Sequence, residues 1–191
     1  MEIVMADNKK IKERIHPHKF ALWLGIGSIL MMFAGLTSGY ILKRNMANWQ
    51  SFELPPAFWI STIAVALSSF TLWKSLDFFK ARRMSSYRIM ILATVFLGSL
   101  FVVLQIVGFG QLVAGGNPLS RTNSVDFLYV IVGLHGLHVI AGIVILIVML
   151  LKAFSKKIKT YTAVPMELTS TYWHFVGILW VYLLIFLVLI K

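Results

Sequence analysis

The chain has 191 residues, of which 59% are hydrophobic and only 13% charged, and a formal net charge of +11. Soluble domains carry roughly twice that charged fraction, so a water-facing globular fold is excluded. The chain has no cysteine, which removes disulfides, thiolate metal sites and thiol nucleophiles.

The opening stretch, MEIVMADNKKIKERIHPHK, is polar and basic. It reads as a cytoplasmic N-terminal arm over residues 1–19. No cleavable signal peptide is expected, because no apolar core there leads to a small-residue cleavage site. Five apolar runs follow, at residues 20–42, 57–76, 89–112, 127–151 and 170–190. A helix needs about 20 residues to cross a hydrocarbon core of roughly 30 Å, and each run is about that long. The runs are continuous rather than alternating, which argues against barrel strands, and helices satisfy every backbone group internally, as lipid demands. The expected fold is all-α: a polytopic membrane helix bundle of five transmembrane helices over residues 20–191.

Basic residues orient the bundle. Lys9, Lys10, Lys12, Arg14 and Lys19 precede the first run. Lys74, Lys80, Arg82, Arg83 and Arg88 surround the second loop, and Lys152, Lys156, Lys157 and Lys159 the fourth. Only Lys43, Arg44, Arg121 and Lys191 fall on the other side. By the positive-inside rule the N-terminus is cytoplasmic and the C-terminus outside. The same scatter among short loops explains the net charge through anionic headgroups rather than nucleic acid. Trp49, Phe52, Trp59 and Tyr129 fall near the outer interface, where amphipathic rings are favoured.

Ionisable side chains within such runs are the functional candidates, because burying them in hydrocarbon is costly. His135 and His138 lie in the fourth run, Glu167 and His174 at the start of the fifth. At about 1.5 Å of rise per residue, His138 is roughly 16 Å from the outer end of its helix, and His174 roughly 10 Å beyond Glu167. Glu167, His174 and His138 are thus expected to form a polar ladder between the last two helices. Three readings fit it: a haem held by one histidine from each helix, as in a membrane b-type cytochrome; a metal or proton-transfer site in a transporter; or neutral histidines hydrogen-bonded to groups such as Tyr172, Ser170 and Gln105. A conducting path calls for carboxylates in the membrane, and spans one to four have none in their interiors. Gly35, Gly39, Gly133, Gly136, Ala141 and Gly142 suggest close helix packing. Gln105 and the Ser68–Ser69 pair offer interhelical hydrogen bonds. Trp173 and Trp180, seven apart, present two indoles on one face of the last helix, suited to core or lipid-facing packing.

Two long segments carry a family resemblance: FLYVIVGLHGLHVIAGIV, then VPMELTSTYWHFVGILWVYLLIFL. They closely resemble subunit III of haem–copper terminal oxidases, the cytochrome c oxidase type. The matching residues are His135, Gly136, His138, Val139 and Glu167, then Tyr172, Trp173, His174, Phe175 and Val176. LSSFTLWKSL resembles the family's Ser-Ser-x-Thr helix, and LGSLFVVLQ its Gly-x-x-Phe-x-x-x-Gln helix. The likeness runs from about Lys19 to the C-terminus, with a length like the bacterial five-helix form. Two positions depart. Ile29, between Ser28 and Phe33, stands where the family commonly has a buried glutamate, and Gly177 stands where an aspartate is usual.

The resemblance implies a subunit without catalytic residues or metal of its own, in the bacterial cytoplasmic (inner) membrane. Haem and copper belong to partner subunits. Subunit III packs against oxidase subunit I among the other oxidase subunits, binds phospholipids and supports stability and proton uptake, and a larger respiratory supercomplex is a further partner of such oxidases. A quinol oxidase subunit or a nitric oxide reductase-associated homologue shares much of the pattern. On this reading His135, His138 and His174 brace helices four and five, and Glu167 anchors their inner end.

Overall fold

In the computed structural model, the described residues are 17–44, 49, 53–116, 123–154 and 163–190. The fold is five α-helices: α1 (Pro17–Lys43), α2 (Pro56–Lys80), α3 (Met84–Ala114), α4 (Asn123–Phe154) and α5 (Val164–Ile190). All five are long and apolar enough to cross a membrane, and the described residues include no strand. The chain is a multi-pass membrane protein. Each helix is longer than the apolar run inside it, because helical hydrogen bonding continues past the hydrocarbon into the polar flanks. α1 therefore begins at Pro17 and takes in Lys19, so only residues 1–16 of the expected arm lie outside the described residues. So do Phe52, Arg121, the three lysines at 156, 157 and 159, and Lys191. Proline stands at the first position of α1 and α2, where its fixed φ is already helical and its missing N–H costs nothing.

α2, α3, α4 and α5 form a closed ring in which each helix packs on the next and α5 returns to α2. α1 lies outside that ring, against α4 and α5, and does not pack on α2. Its buried residues, Ile26, Phe33, Thr37 and Tyr40, form one narrow stripe. The α2–α3 connection is a tight hairpin. Arg82 takes a left-handed φ of 57°, its N–H donates to Phe79 O at 3.1 Å, and Arg83 N–H donates to Phe78 O at 2.9 Å. This pattern satisfies the last free carbonyls of α2.

One end of the bundle is tied by charge. Glu167, in the first turn of α5, meets Lys19 of α1 at 3.5 Å and Lys80 of α2 at 3.2 Å. The Arg88 side chain of α3 donates from Nε to Ala153 O near the end of α4 at 2.9 Å and lies over the Phe154 ring. A carboxylate at a helix N-terminus also complements the positive end of the helix dipole. The other end is aromatic: Tyr40 meets Trp49, Phe127 and Phe186 edge-on, at centroid distances of 4.7, 6.2 and 5.3 Å. Trp59 is about half exposed there.

Close approach of α2 and α3 rests on Gly108, where an added Cβ would collide with the Phe58 ring, itself fully buried. Overpacking a well-filled core costs about 1–3 kcal/mol. Gly108→Ala is therefore expected to lower the melting temperature of the detergent-solubilised protein. Gly110→Ala, at a position open on that side, should leave it within error.

Candidate functional site

The polar groups of the interior are arranged around α5. Met166, Trp173, Trp180 and Leu187 recur every seven residues and all are buried, so they form a row down the axis of the four-helix ring. The Trp173 ring sits between two glycines. An added Cβ at Gly98 of α3 would lie 2.7 Å from it, and one at Gly142 of α4 would lie 3.0 Å from it. Its indole N–H donates to Ser68 Oγ of α2 at 3.0 Å. One Trp therefore touches all three of the other ring helices. Two turns on, Trp180 donates its N–H to Thr62 Oγ1 of α2 at 2.9 Å. Its ring meets Phe58 and Phe101 edge-on, at 6.0 and 5.2 Å, and His135 at 5.2 Å. Beside it Gln105 Nε2 donates to Ser61 Oγ at 2.8 Å, joining α3 to α2.

The histidines do not form the expected ladder. His135 is fully buried, and neither ring nitrogen has a hydrogen-bond partner. Its imidazole is enclosed by Phe33, Phe101 and Trp180. His138 turns its Nδ1 to Leu134 O of its own helix, at 2.7 Å, and its ring meets Phe33 edge-on at 5.9 Å. Tyr172, not a histidine, joins α5 to α4: its hydroxyl donates to the backbone carbonyl of His138 at 3.0 Å. Residues two apart on a helix point about 200° apart, so with Tyr172 on α4, His174 faces the opposite side. There it lines an open trough along α2 and α5 together with Ser69, Gly177 and Val181, which at the charged end is also lined by Lys19 and Trp23 of α1. It has no hydrogen-bond partner among the described residues. Glu167 and His174 do share that trough, whereas His138 is not part of it.

This arrangement bears on the haem reading. A bis-histidine haem needs two imidazoles from different helices converging on one open gap, but His135 and His138 both pack on Phe33, His135 has aromatic rings around it, and His174 faces away from α4. The described residues contain no cluster of three or more His, Asp or Glu. Among the described residues the buried polar side chains are Thr, Ser, Gln and His, with no carboxylate.

Comparison with known proteins decides the family. The family model for cytochrome c oxidase subunit III matches residues 45–190. The chain belongs to that family. It is similar to cytochrome c oxidase subunit 3 of Bacillus sp. (strain PS3), 26% identical over 84% of this chain and 80% of that one. It is also similar to a probable cytochrome c oxidase subunit 3 of Nocardia farcinica (strain IFM 10152), 30% identical over 90% of each. A probable quinol oxidase subunit 3 of Staphylococcus haemolyticus (strain JCSC1435) is 24% identical over 93% of this chain and 92% of that one. These relatives are subunits of oxidases, so the family is one of multi-subunit oxidoreductases embedded in membranes.

The packing glycines are partly other than expected. Gly35, Gly133 and Gly136 have open space where a Cβ would stand, and Gly39 makes only ordinary contact with Phe127. Gly142 packs tightly, and so do Gly98 and Gly108, which the small-xxx-small pattern does not pick out. Gly98 is visible only as part of the Gly-x-x-Phe-x-x-x-Gln helix. The reason is chemical: an indole or phenyl ring facing a lone glycine needs no second small residue four positions away.

These contacts separate the indoles from the histidines by experiment. Ser68→Ala leaves the Trp173 N–H unpaired in a buried site and should cost about 1–3 kcal/mol, read as a lower unfolding midpoint in detergent. His135→Phe removes two ring nitrogens that have no partner and should be neutral or stabilising, since an unpaired buried polar group is itself a cost. If His135→Phe were the more damaging of the two, the imidazole would be a brace after all.

Proposed function

We propose that this chain is the non-catalytic subunit III of a proton-pumping haem–copper terminal oxidase of aerobic respiration. In this reading it packs against subunit I, holds phospholipid, supports proton uptake and durability of the complex, and sits in the cytoplasmic membrane with Glu167 on the inner side. The observation that carries it is the family match over residues 45–190, on a bundle whose interior holds hydroxyls, one amide and one imidazole but no carboxylate among the described residues. An interior of that kind suits scaffolding. A proton path through a membrane is built from ionisable groups in series, and electron transfer needs bound cofactors.

Cytochrome c oxidase and quinol oxidase are two versions of the same reading, supported by relatives named for each. The electron donor is a matter for the other subunits. The inward orientation is supported by the basic end of the bundle, where Lys19, Lys80 and Arg88 make their contacts with α5 and α4. Ile29 packs against the apolar core and Gly177 is buried on α5, so neither supplies a proton-carrying group.

The test is purification of the tagged chain from its membrane in a mild detergent. The expected result is recovery with a partner that carries the haem and copper spectrum and reduces oxygen, while the chain separated from that partner is colourless. Recovery with no oxygen-reducing partner would overturn the proposal.

A further inference from the structure

The face of α2 turned away from the core carries a charge inside the span. Ile60, Ile63, Leu67 and Phe70 are each half exposed or more. The buried residues Val65, Ser68, Leu72 and Ser75 each follow one of them by five positions, about 140° round the helix. Lys74 and Asp77 continue the exposed row, which alternates steps of three and four. That is the period of 3.5 by which one helix seats along another. From Ile60 to Asp77 the row is about 26 Å long, most of a hydrocarbon core of roughly 30 Å.

Lys74 interrupts the apolar part of this row. It stands about 9 Å along the helix from Lys80, whose ammonium marks the charged end at Glu167. Its Nζ lies 4.8 Å from the ring centroid of Trp73 and 5.9 Å from that of Phe70. The side chain is thus turned toward the middle of the span, as the N-terminal tilt of helical side chains directs. It makes no ion pair among the described residues. Asp77 is exposed one turn the other way, but a lysine ahead of an acid is the less favourable order on a helix, and the ammonium stays with the rings.

We infer that this face of α2 docks one transmembrane helix of a partner subunit, and that the partner brings a carboxylate to Lys74. The inference rests on the part of the proposed function that seats the chain among oxidase subunits, and it names the face and the chemistry of the contact. A charge within hydrocarbon is costly, and such residues turn to a partner or a water-filled space. The two rings offset part of that cost through their negative faces, and an anion at the same depth removes the rest. A lipid phosphate stays at the level of Lys80, and an acyl chain has no charge to offer. A spanning helix meets both conditions, because it covers the length of the row and carries its carboxylate to the level of the rings. A single lysine on such a seam also fixes the register of the helix that binds it.

The experiment is photo-crosslinking in the intact oxidase complex, with benzoylphenylalanine incorporated at Leu67 and the product read by mass spectrometry. The expected product joins this chain to one transmembrane segment of a partner, with an Asp or Glu about two turns from the linked residue. Lys74→Leu should lower the crosslink yield at least tenfold and release that partner at a lower detergent concentration, while Lys74→Arg keeps both at the wild-type level. A lysine that only faces lipid gives the reverse, since Lys74→Leu then leaves yield and subunit content unchanged, and that result would overturn the inference. So would a crosslink to phospholipid alone or to a second copy of this chain. Where Lys74→Leu fails to accumulate, the crosslink in the chain with Lys74 intact decides. Recovery of the wild-type chain without an oxygen-reducing partner defeats the proposed function, whereas recovery with that partner and a seam that crosslinks no partner helix defeats this inference alone.

Discussion

The bundle depends on two indoles finding hydroxyls. In lipid there is no hydrophobic force between helices, since hydrocarbon tails are as apolar as leucine, and association rests on close packing and interhelical hydrogen bonds. Trp173 and Trp180 supply both. Each fills the axis of the four-helix ring with a large flat ring, and each donates its one N–H to a hydroxyl of α2. The hydroxyls need no donor from elsewhere, because Ser68 and Thr62 also donate back to carbonyls of their own helix. Each hydroxyl thus acts as donor and acceptor at once, and the polar atoms of the junction are satisfied without water.

The same economy explains why the glycines sit where they do. A ring of this size fits on the axis only if the facing helices retreat. Gly98 and Gly142 provide that retreat on either side of Trp173, and Gly108 provides it for Phe58, which packs against Trp180. The large residues are on α5 and α2 and the small ones on α3 and α4, so the packing is directional rather than a symmetric zipper. Gln105 adds a further link from α3 to α2 in the layer of Trp180.

How much of this was legible in the sequence follows from the solvent. Five spans are plain, because lipid requires long uninterrupted apolar runs and basic residues mark their ends. Which face of each helix turns inward is not plain, because in a membrane protein the outside is as apolar as the core. Trp23 is 63% exposed and Trp173 2% exposed, yet both sit in equally apolar surroundings in the sequence. The histidines mislead for a related reason. A polar residue in an oily run implies a polar partner, but His135 is accommodated by aromatic rings and His138 by a carbonyl of its own helix. The family resemblance was readable because it rests on residue identity at fixed spacing, which does not require knowing where any side chain points.

α1 shows what remains when such packing is absent. Its contact with the ring is a narrow stripe, closed by the Glu167 ion pairs at one end and the Tyr40 cluster at the other. Ion pairs exposed to this degree contribute little each, about half of Lys19 and a third of Glu167 being accessible. Most of the hold must therefore come from the stripe and from the aromatic end. A helix fixed at its two ends and along one edge stands as a wall, and the space between it and α2 is set by α5 rather than by contact between the two. That separation follows from the indole axis, because turning Trp173 and Trp180 inward leaves His174 and Val181 about 100° further round α5, on its flank rather than in the core. The residues that close the core are thus the cause of the groove outside it.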